Sequence, residues 1–222
     1  MKIFISRDIA PEGYFCQILA PTQAQIVGYS LIDLTEIVIN QAPDAKCLFF
    51  YSQNAVDYFI KQCQKPLSGY KFACLGAATA QRLEFYGIKP AFVGTGQADS
   101  TATELIKWVK NQAICFVQAQ NSLQSVQQLV EKELNSSNLI IYKNTKKTEF
   151  ENPQADILAF TSPLNVEAYT NKYPILPKQK VVAIGETTAQ KCAEKQIDSL
   201  YTAEKPTEKH IAEKILQILI KK

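Results

Sequence analysis

Short apolar runs punctuate this chain, and between most of them apolar residues return every three or four positions. The runs "KIFI" (2–5), "CLFF" (47–50), "ILAF" (157–160) and "VVAI" (181–184) show no polar alternation. That pattern predicts strands buried on both faces, as in parallel sheets covered by helices. Strands are predicted at about 2–6, 25–30, 47–51, 72–75, 91–93, 114–118, 138–142, 156–161, 180–184 and 199–201. Helical periodicity predicts helices at 12–19, 52–63, 77–86, 101–110, 120–134, 163–171, 186–195 and 207–220. Strands alternating with helices make this an α/β chain with parallel sheets.

The order of segments repeats. "FFYSQNAVDYF" (49–59) matches "AFTSPLNVEAY" (159–169) at an offset of 110, with Ser52 on Ser162 and Asp57 on Glu167. "CLGAATAQRLEFYGI" (74–88) matches "AIGETTAQKCAEKQI" (183–197) at 109, with Gly76 on Gly185, Thr79 on Thr188 and Arg82 on Lys191. More weakly, "KIFIS" (2–6) parallels "ICFVQ" (114–118) at 112. Three segments in one order at nearly one offset indicate two copies of a five-strand, flavodoxin-like unit related by internal duplication. Strand-poor connections are expected at 31–46 and 143–155, in equivalent places, as hinges where the chain crosses between domains. The pattern allows a colinear split near residue 112. It equally allows an exchanged one, in which 1–37 completes a domain made by 146–222 and 38–145 forms the other.

Composition narrows the function. A chain that is 46% hydrophobic and 20% charged affords a packed core. No apolar run approaches a membrane span, and Arg7 and Asp8 interrupt the first one after a few residues; a cytoplasmic protein without membrane attachment is expected. The six cysteines have no metal-ligand spacing, so reduced structural thiols are expected and no metal site. His210 is the only histidine, which removes histidine triads and multi-histidine metal centres. A net charge of +3 does not suggest nucleic acid but suits a small anionic ligand.

Ligands of open parallel sheets sit beyond the carboxyl ends of the strands, where helices begin. Arg7, Ser52, Thr79, Gln118, Gln120, Tyr142, Ser162, Thr187 and Thr188 all fall at predicted ends of that kind. Unpaired N–H groups of a helix start receive anions, and Gly76 and Gly185 would let a ligand approach the backbone. For any single position helix capping alone is the commoner explanation, and a strand tyrosine is usually just half-buried. The collection is what points to a cleft for a polyanion, because one exposed helix end contributes only about 0.3–1 kcal/mol. "GTGQAD" (94–99) lacks the third glycine of a dinucleotide fingerprint, and no GxxxxGK[ST] loop occurs. A nucleotide-dependent enzyme is accordingly disfavoured.

The paired "YSQNAV" and "TSPLNV" segments, the paired "GAATA" and "GETTA" turns, "IIYKN" and the terminal "AEKPTEKHIAEKI" together resemble the uroporphyrinogen-III synthase family. The resemblance covers nearly the whole chain in order. It implies two α/β domains joined by a two-stranded connection, the exchanged arrangement, and an active site between the domains. It further implies cofactor-free cyclisation of linear hydroxymethylbilane to uroporphyrinogen III, with loss of water and inversion of ring D. By the same resemblance Tyr142 is the expected proton donor. Ser52, Thr79, Ser162, Thr187 and Thr188 are expected to bind carboxylates, joined in the last loop by Thr207; Arg7 is expected to join them from its place at a strand end. Glu186 stands where the family often carries proline. A monomer in transient contact with hydroxymethylbilane synthase is expected. The competing expectation is a non-catalytic polycarboxylate-binding module derived from that family.

Overall fold

A computed structural model describes residues 1–220. In chain order the elements are β1 (Lys2–Ile5), α1 (Tyr14–Leu19), β2 (Gln25–Gly28), β3 (Ile32–Glu36), β4 (Cys47–Phe50), α2 (Gln53–Gln62), β5 (Lys71–Cys74), α3 (Ala77–Phe85), β6 (Phe92–Val93) and α4 (Ala98–Val109). Then come β7 (Ile114–Ala119), α5 (Ser125–Val130), β8 (Ser136–Lys146), β9 (Ile157–Phe160), α6 (Pro163–Lys172), β10 (Lys180–Ala183), α7 (Glu186–Glu194), β11 (Leu200–Thr202) and α8 (Glu208–Ile220).

The chain divides into two compact units. One comprises Met1–Asp33 and the segment from Thr145 onward; the other is Leu34–Asn144. In the discontinuous unit the strands lie in the order β11-β10-β9-β1-β2, parallel throughout. Along β1 the side chains alternate between two buried layers: Ile3 and Ile5 pack with α1 and α8, whereas Phe4 packs with α6 and α7 residues such as Val166 and Cys192. Both faces are covered, which is why the strands read as unbroken apolar runs.

The continuous unit has the order β3-β8-β7-β4-β5-β6. The five strands β8-β7-β4-β5-β6 run parallel to one another. Leu48 and Phe50 face α2 and α3, while Cys47 and Phe49 face α4 and α5. The sixth strand departs from the expected five. The connection at 31–46 is not strand-poor, because β3 occupies Ile32–Glu36 beside β8. Hydrogen bonds from Lys147 N–H to Leu31 O and from Ile37 N–H to Ile141 O run in antiparallel register. The other expected connection begins inside β8, which continues to Lys146. The "IDLTE" stretch has too few buried positions to show a strand pattern, so long-range pairing decides its conformation.

The helix expected at 120–134 is confined to Ser125–Val130. Before it, Gln124 takes a left-handed conformation at φ 54° and Ser122 Oγ accepts its N–H. A side chain that hydrogen-bonds locally competes with the helical ladder and delays its start.

Candidate active site

The carboxyl edge of the continuous unit carries Tyr51 and Ser52 after β4, Gly76–Thr79 after β5, and Gln118 and Gln120 around the end of β7. Ser52 caps α2 by accepting the Ala55 N–H at 3.2 Å, as its residue type favours. The same hydroxyl lies 2.9 Å from the Tyr142 hydroxyl and is hydrogen-bonded to it. Tyr142 is not the last residue of its strand, since β8 extends to Lys146. It pairs with Ala119, the last residue of β7, and is therefore level with the carboxyl edge.

A β-bulge brings Tyr142 to Ser52. The register of β7 with β8 steps from Gln118–Ile140 to Ala119–Tyr142, leaving Ile141 unpaired in that ladder. The extra residue turns Tyr142 onto the α2 face beside Ile141, where its ring stacks on Tyr58 with centroids 5.3 Å apart. Bulges commonly re-aim a side chain in this way. Tyr142 is only 4% exposed. Burial pushes its phenol above the ordinary tyrosine value, with the hydrogen bond to Ser52 opposing the rise. It is protonated at neutral pH and can donate.

Thr79 lies in the first turn of α3 and is buried. Its backbone N–H and that of Ala80 return to Gly76 O; the preceding N–H groups of the turn have no partner among the described residues, as expected at a helix start. Gly76 is needed for packing: a Cβ there would stand 3.1 Å from Gly96 Cα and 3.3 Å from Gly96 N. Gln118 is fully buried and donates through Nε2 to Asn138 Oδ1 at 2.5 Å and Gln127 Oε1 at 3.1 Å. Its Oε1 and Asn144 Oδ1 are buried without partners among the described residues.

The corresponding edge of the discontinuous unit gathers Ser6 and Arg7 after β1, Thr161 and Ser162 after β9, Gly185–Thr188 after β10, and the loop ending at Thr207 after β11. Ser162 caps α6, accepting from Asn165 N–H at 3.2 Å and Asn165 Nδ2 at 2.9 Å. Asn165, buried at 3% exposure, also accepts the Leu31 N–H at 3.0 Å. Sequence reading missed this cross-link, although Asn165 sits within "TSPLNV". Thr161 is tied to β1 by its N–H to Ser6 Oγ and its hydroxyl to Ser6 O, both 2.9 Å.

At α7, Thr187 is exposed and Thr188 is buried. The N–H groups of Thr188 and Ala189 return to Gly185 O. Gly185 has extended backbone at φ −176°, and a Cβ there would meet only Pro206 Cβ, at 3.7 Å. Neither conformation nor packing requires glycine at this position.

Thr207 accepts the His210 N–H at 3.3 Å at the start of α8, and its Oγ1 lies 2.6 Å from His210 Nδ1. The guanidinium of Arg7 is paired with Glu208, Nε to Oε1 at 3.1 Å. An incoming carboxylate at Arg7 therefore shares it with, or displaces, Glu208. These two pairings were not visible in the sequence, because their partners are more than a hundred residues apart or meet only in a folded turn.

The buried thiols fit a structural role: burial pushes Cys74 to about 11 and Cys192 to about 12, far from thiolate at neutral pH. No helix among the described residues is long and apolar enough to cross a membrane.

Comparison with known proteins assigns the chain to a family. The family model HEM4, uroporphyrinogen-III synthase HemD, matches residues 19–213. The chain belongs to the uroporphyrinogen-III synthase family. Its fold is similar to that of uroporphyrinogen-III synthetase from Helicobacter pylori, at 22% identity and a TM-score of 0.78, over 98% of this chain and 99% of that one. It is also similar to a mutant uroporphyrinogen III synthase from the extremely thermophilic bacterium Thermus thermophilus, at 16% identity and a TM-score of 0.65, over 100% and 99% of the two chains. No curated protein matches. Membership in the uroporphyrinogen-III synthase family makes this chain a cyclising lyase of tetrapyrrole biosynthesis that acts on a small molecule.

Proposed function

We propose that this chain closes hydroxymethylbilane to uroporphyrinogen III and that helix starts at the carboxyl edges of its parallel sheets receive substrate carboxylates. The family match over 19–213 carries this reading. Supporting it are hydroxyls and free N–H groups recurring at the same kind of edge in both units. Ser52, Thr79, Ser162, Thr187, Thr188 and Thr207, with Arg7, are the proposed carboxylate contacts. Thr187 is the most accessible of the hydroxyls on α7, and the open space at Gly185 would let a carboxylate reach its helix start. Ser162 accepts two hydrogen bonds at its cap, so what it offers a carboxylate is the hydroxyl proton; Ser52 either offers its proton to a carboxylate or donates it to the Tyr142 oxygen, and the latter leaves the phenol proton free.

Tyr142 is the proposed acid. As water departs from ring A, its phenol supplies the proton the leaving hydroxyl needs, and Ser52 holds the phenol in place. The resulting azafulvene cation is attacked by the already substituted carbon of ring D; fragmentation and reclosure then invert that ring. The remaining contribution is positional, since the unassisted bilane closes head to tail to the type I isomer.

The two units are proposed to be copies of one flavodoxin-like unit. Supporting this, β11-β10-β9-β1-β2 and β6-β5-β4-β7-β8 follow the same order when the repeated segments are matched, and in the discontinuous unit, counted along the chain and read from β2, that order is 2-1-3-4-5. Domains at 1–37 with 146–222 and at 38–145 are proposed with it. We further propose a cytoplasmic monomer that meets hydroxymethylbilane synthase transiently, which would limit escape of an unstable substrate.

The test is a coupled assay. Freshly generated hydroxymethylbilane is supplied to the purified protein, the products are oxidised, and type I and type III uroporphyrins are separated. Predominantly type III product is expected. Type I alone at the uncatalysed rate, from a folded protein, would reject the enzyme reading in favour of the binding module.

A further inference from the structure

An ion pair joins the two helices that follow the central strands, and it recurs at matching positions in both units. In the continuous unit Asp57, fifth residue of α2, takes Arg82, sixth residue of α3, through two hydrogen bonds of 2.5 and 3.0 Å. In the discontinuous unit Glu167, fifth residue of α6, takes Lys191, sixth residue of α7, at 3.2 Å. The shorter acid meets the longer base in one unit, and the longer acid meets the shorter base in the other.

Each pair is held by further contacts. The Arg82 guanidinium carbon lies 4.8 Å from the Phe85 ring centroid and 5.3 Å from that of Tyr86, whose hydroxyl donates to Asp57 at 3.1 Å. Glu167 also binds Lys146, at 3.1 Å, and Lys191 binds Glu194 at 2.5 Å. Lone exposed ion pairs add little to stability, so recurrence at equivalent places calls for another explanation.

The helices supply one. The buried face of α3 is Thr79, Ala80 and Leu83, and that of α7 is Thr188, Ala189 and Cys192. Apart from Leu83 these side chains are small, so they interdigitate little and leave the helix's rotation to be fixed in part by contacts outside the buried face. Arg82 and Lys191 lie five residues beyond the helix starts at Ala77 and Glu186, a rise of about 7.5 Å. A tether there sets where the free N–H groups of the first turn point.

We infer that Asp57–Arg82 and Glu167–Lys191 are paired positioning residues that aim the starts of α3 and α7 at substrate carboxylates. The inference rests on the reading of those helix starts as carboxylate-receiving. Neither pair touches the reacting atoms; each acts through the helix it anchors. Loss of a pair should weaken substrate binding and loosen control of which carbon of ring D attacks.

The experiment compares Arg82→Gln, Lys191→Gln and the exchanged double variant Asp57→Arg/Arg82→Asp with the unsubstituted protein. Thr79→Ala and Thr187→Ala serve as references. KM, kcat, the type III fraction and the thermal midpoint are measured for each. Arg82→Gln and Lys191→Gln should lower kcat/KM by about 10-fold, mainly through KM, and raise the type I fraction. The exchanged variant should recover most of that loss. Lowered thermal midpoints with unchanged KM and product ratio would overturn the positioning role. A KM rise in the threonine variants without one in the glutamine variants would reject the pairs alone. No KM rise in any of the four would reject the reading of the helix starts with them. Should Arg82→Gln fail to fold, Arg82→Lys keeps the charge while losing the two-point contact. A raised KM in it supports the proposal, and an unchanged KM opposes it.

Discussion

Replacing Tyr142 with phenylalanine separates catalysis from structure more cleanly than any other change in this protein. The substitution removes one oxygen and keeps the ring that stacks on Tyr58 at 5.3 Å. It breaks the 2.9 Å hydrogen bond to Ser52, whose oxygen still caps α2 through Ala55 N–H. The loss of one buried hydrogen bond, with its partner still engaged, costs about 1 kcal/mol. In a chain of this length that lowers the thermal midpoint by roughly 2–4 °C. A positioned acid, by contrast, contributes on the order of 10²–10⁴ in rate, and the lower end alone corresponds to about 2.7 kcal/mol. Steady-state turnover of hydroxymethylbilane, with isomer analysis and a thermal melt on the same preparation, distinguishes the two. We expect kcat to fall at least ~100-fold with the protein folded at the assay temperature. Turnover within about 3-fold of the unsubstituted protein, at unchanged type III fraction, would refute the assignment of Tyr142 as the acid.

Four other outcomes follow from the structure. Gly185→Ala should leave the thermal midpoint unchanged while raising KM, because its Cβ meets only Pro206 at 3.7 Å. Gly76→Ala should destabilise by about 1–3 kcal/mol, since the Gly96 backbone has to move; equal melting behaviour of the two variants would contradict this. Asn165→Ala should cost about 1–3 kcal/mol by leaving the buried Leu31 N–H unpaired, read from denaturant unfolding. The stability of the protein should fall as pH rises above about 10. Tyr142 and Tyr51 are raised by burial, the latter to about 12, so each contributes stability that is complete below the unfolded-state value and is lost as pH climbs through the folded one. A flat stability profile from pH 10 to 12 would contradict the burial of these phenols.

Much of the fold was legible because its signals are local. A strand buried on both faces must be apolar at every position, and "CLFF", "ILAF" and "KVVA" state this directly. A helix start needs an acceptor for its loose N–H groups, and Ser52 and Ser162 supply one where the sequence places them. Repetition of these local signals at one spacing was enough to pair the segments and to bring the family into view. β3 escaped because "IDLTE" buries little; its conformation comes from β8, about a hundred residues away. The helix expected at 120–134 was cut short by local hydrogen bonding at Ser122 and Gln124, which periodicity does not register.

At the site, the order of residues along the chain is enough to say which residue types stand at the carboxyl edges. Tertiary structure alone decided what each of them touches. The bulge at Ile141 turns Tyr142 to Ser52, Glu208 already holds Arg7, and Pro206 stands over Gly185 without filling it. Arg82 and Lys191 find their acids on neighbouring helices. The reason lies in the range of the forces. Hydrophobic periodicity and capping act within a few residues of sequence, so they can be read from it. Hydrogen bonds and ion pairs between side chains depend on distances of about 3 Å that exist only once distant segments have packed.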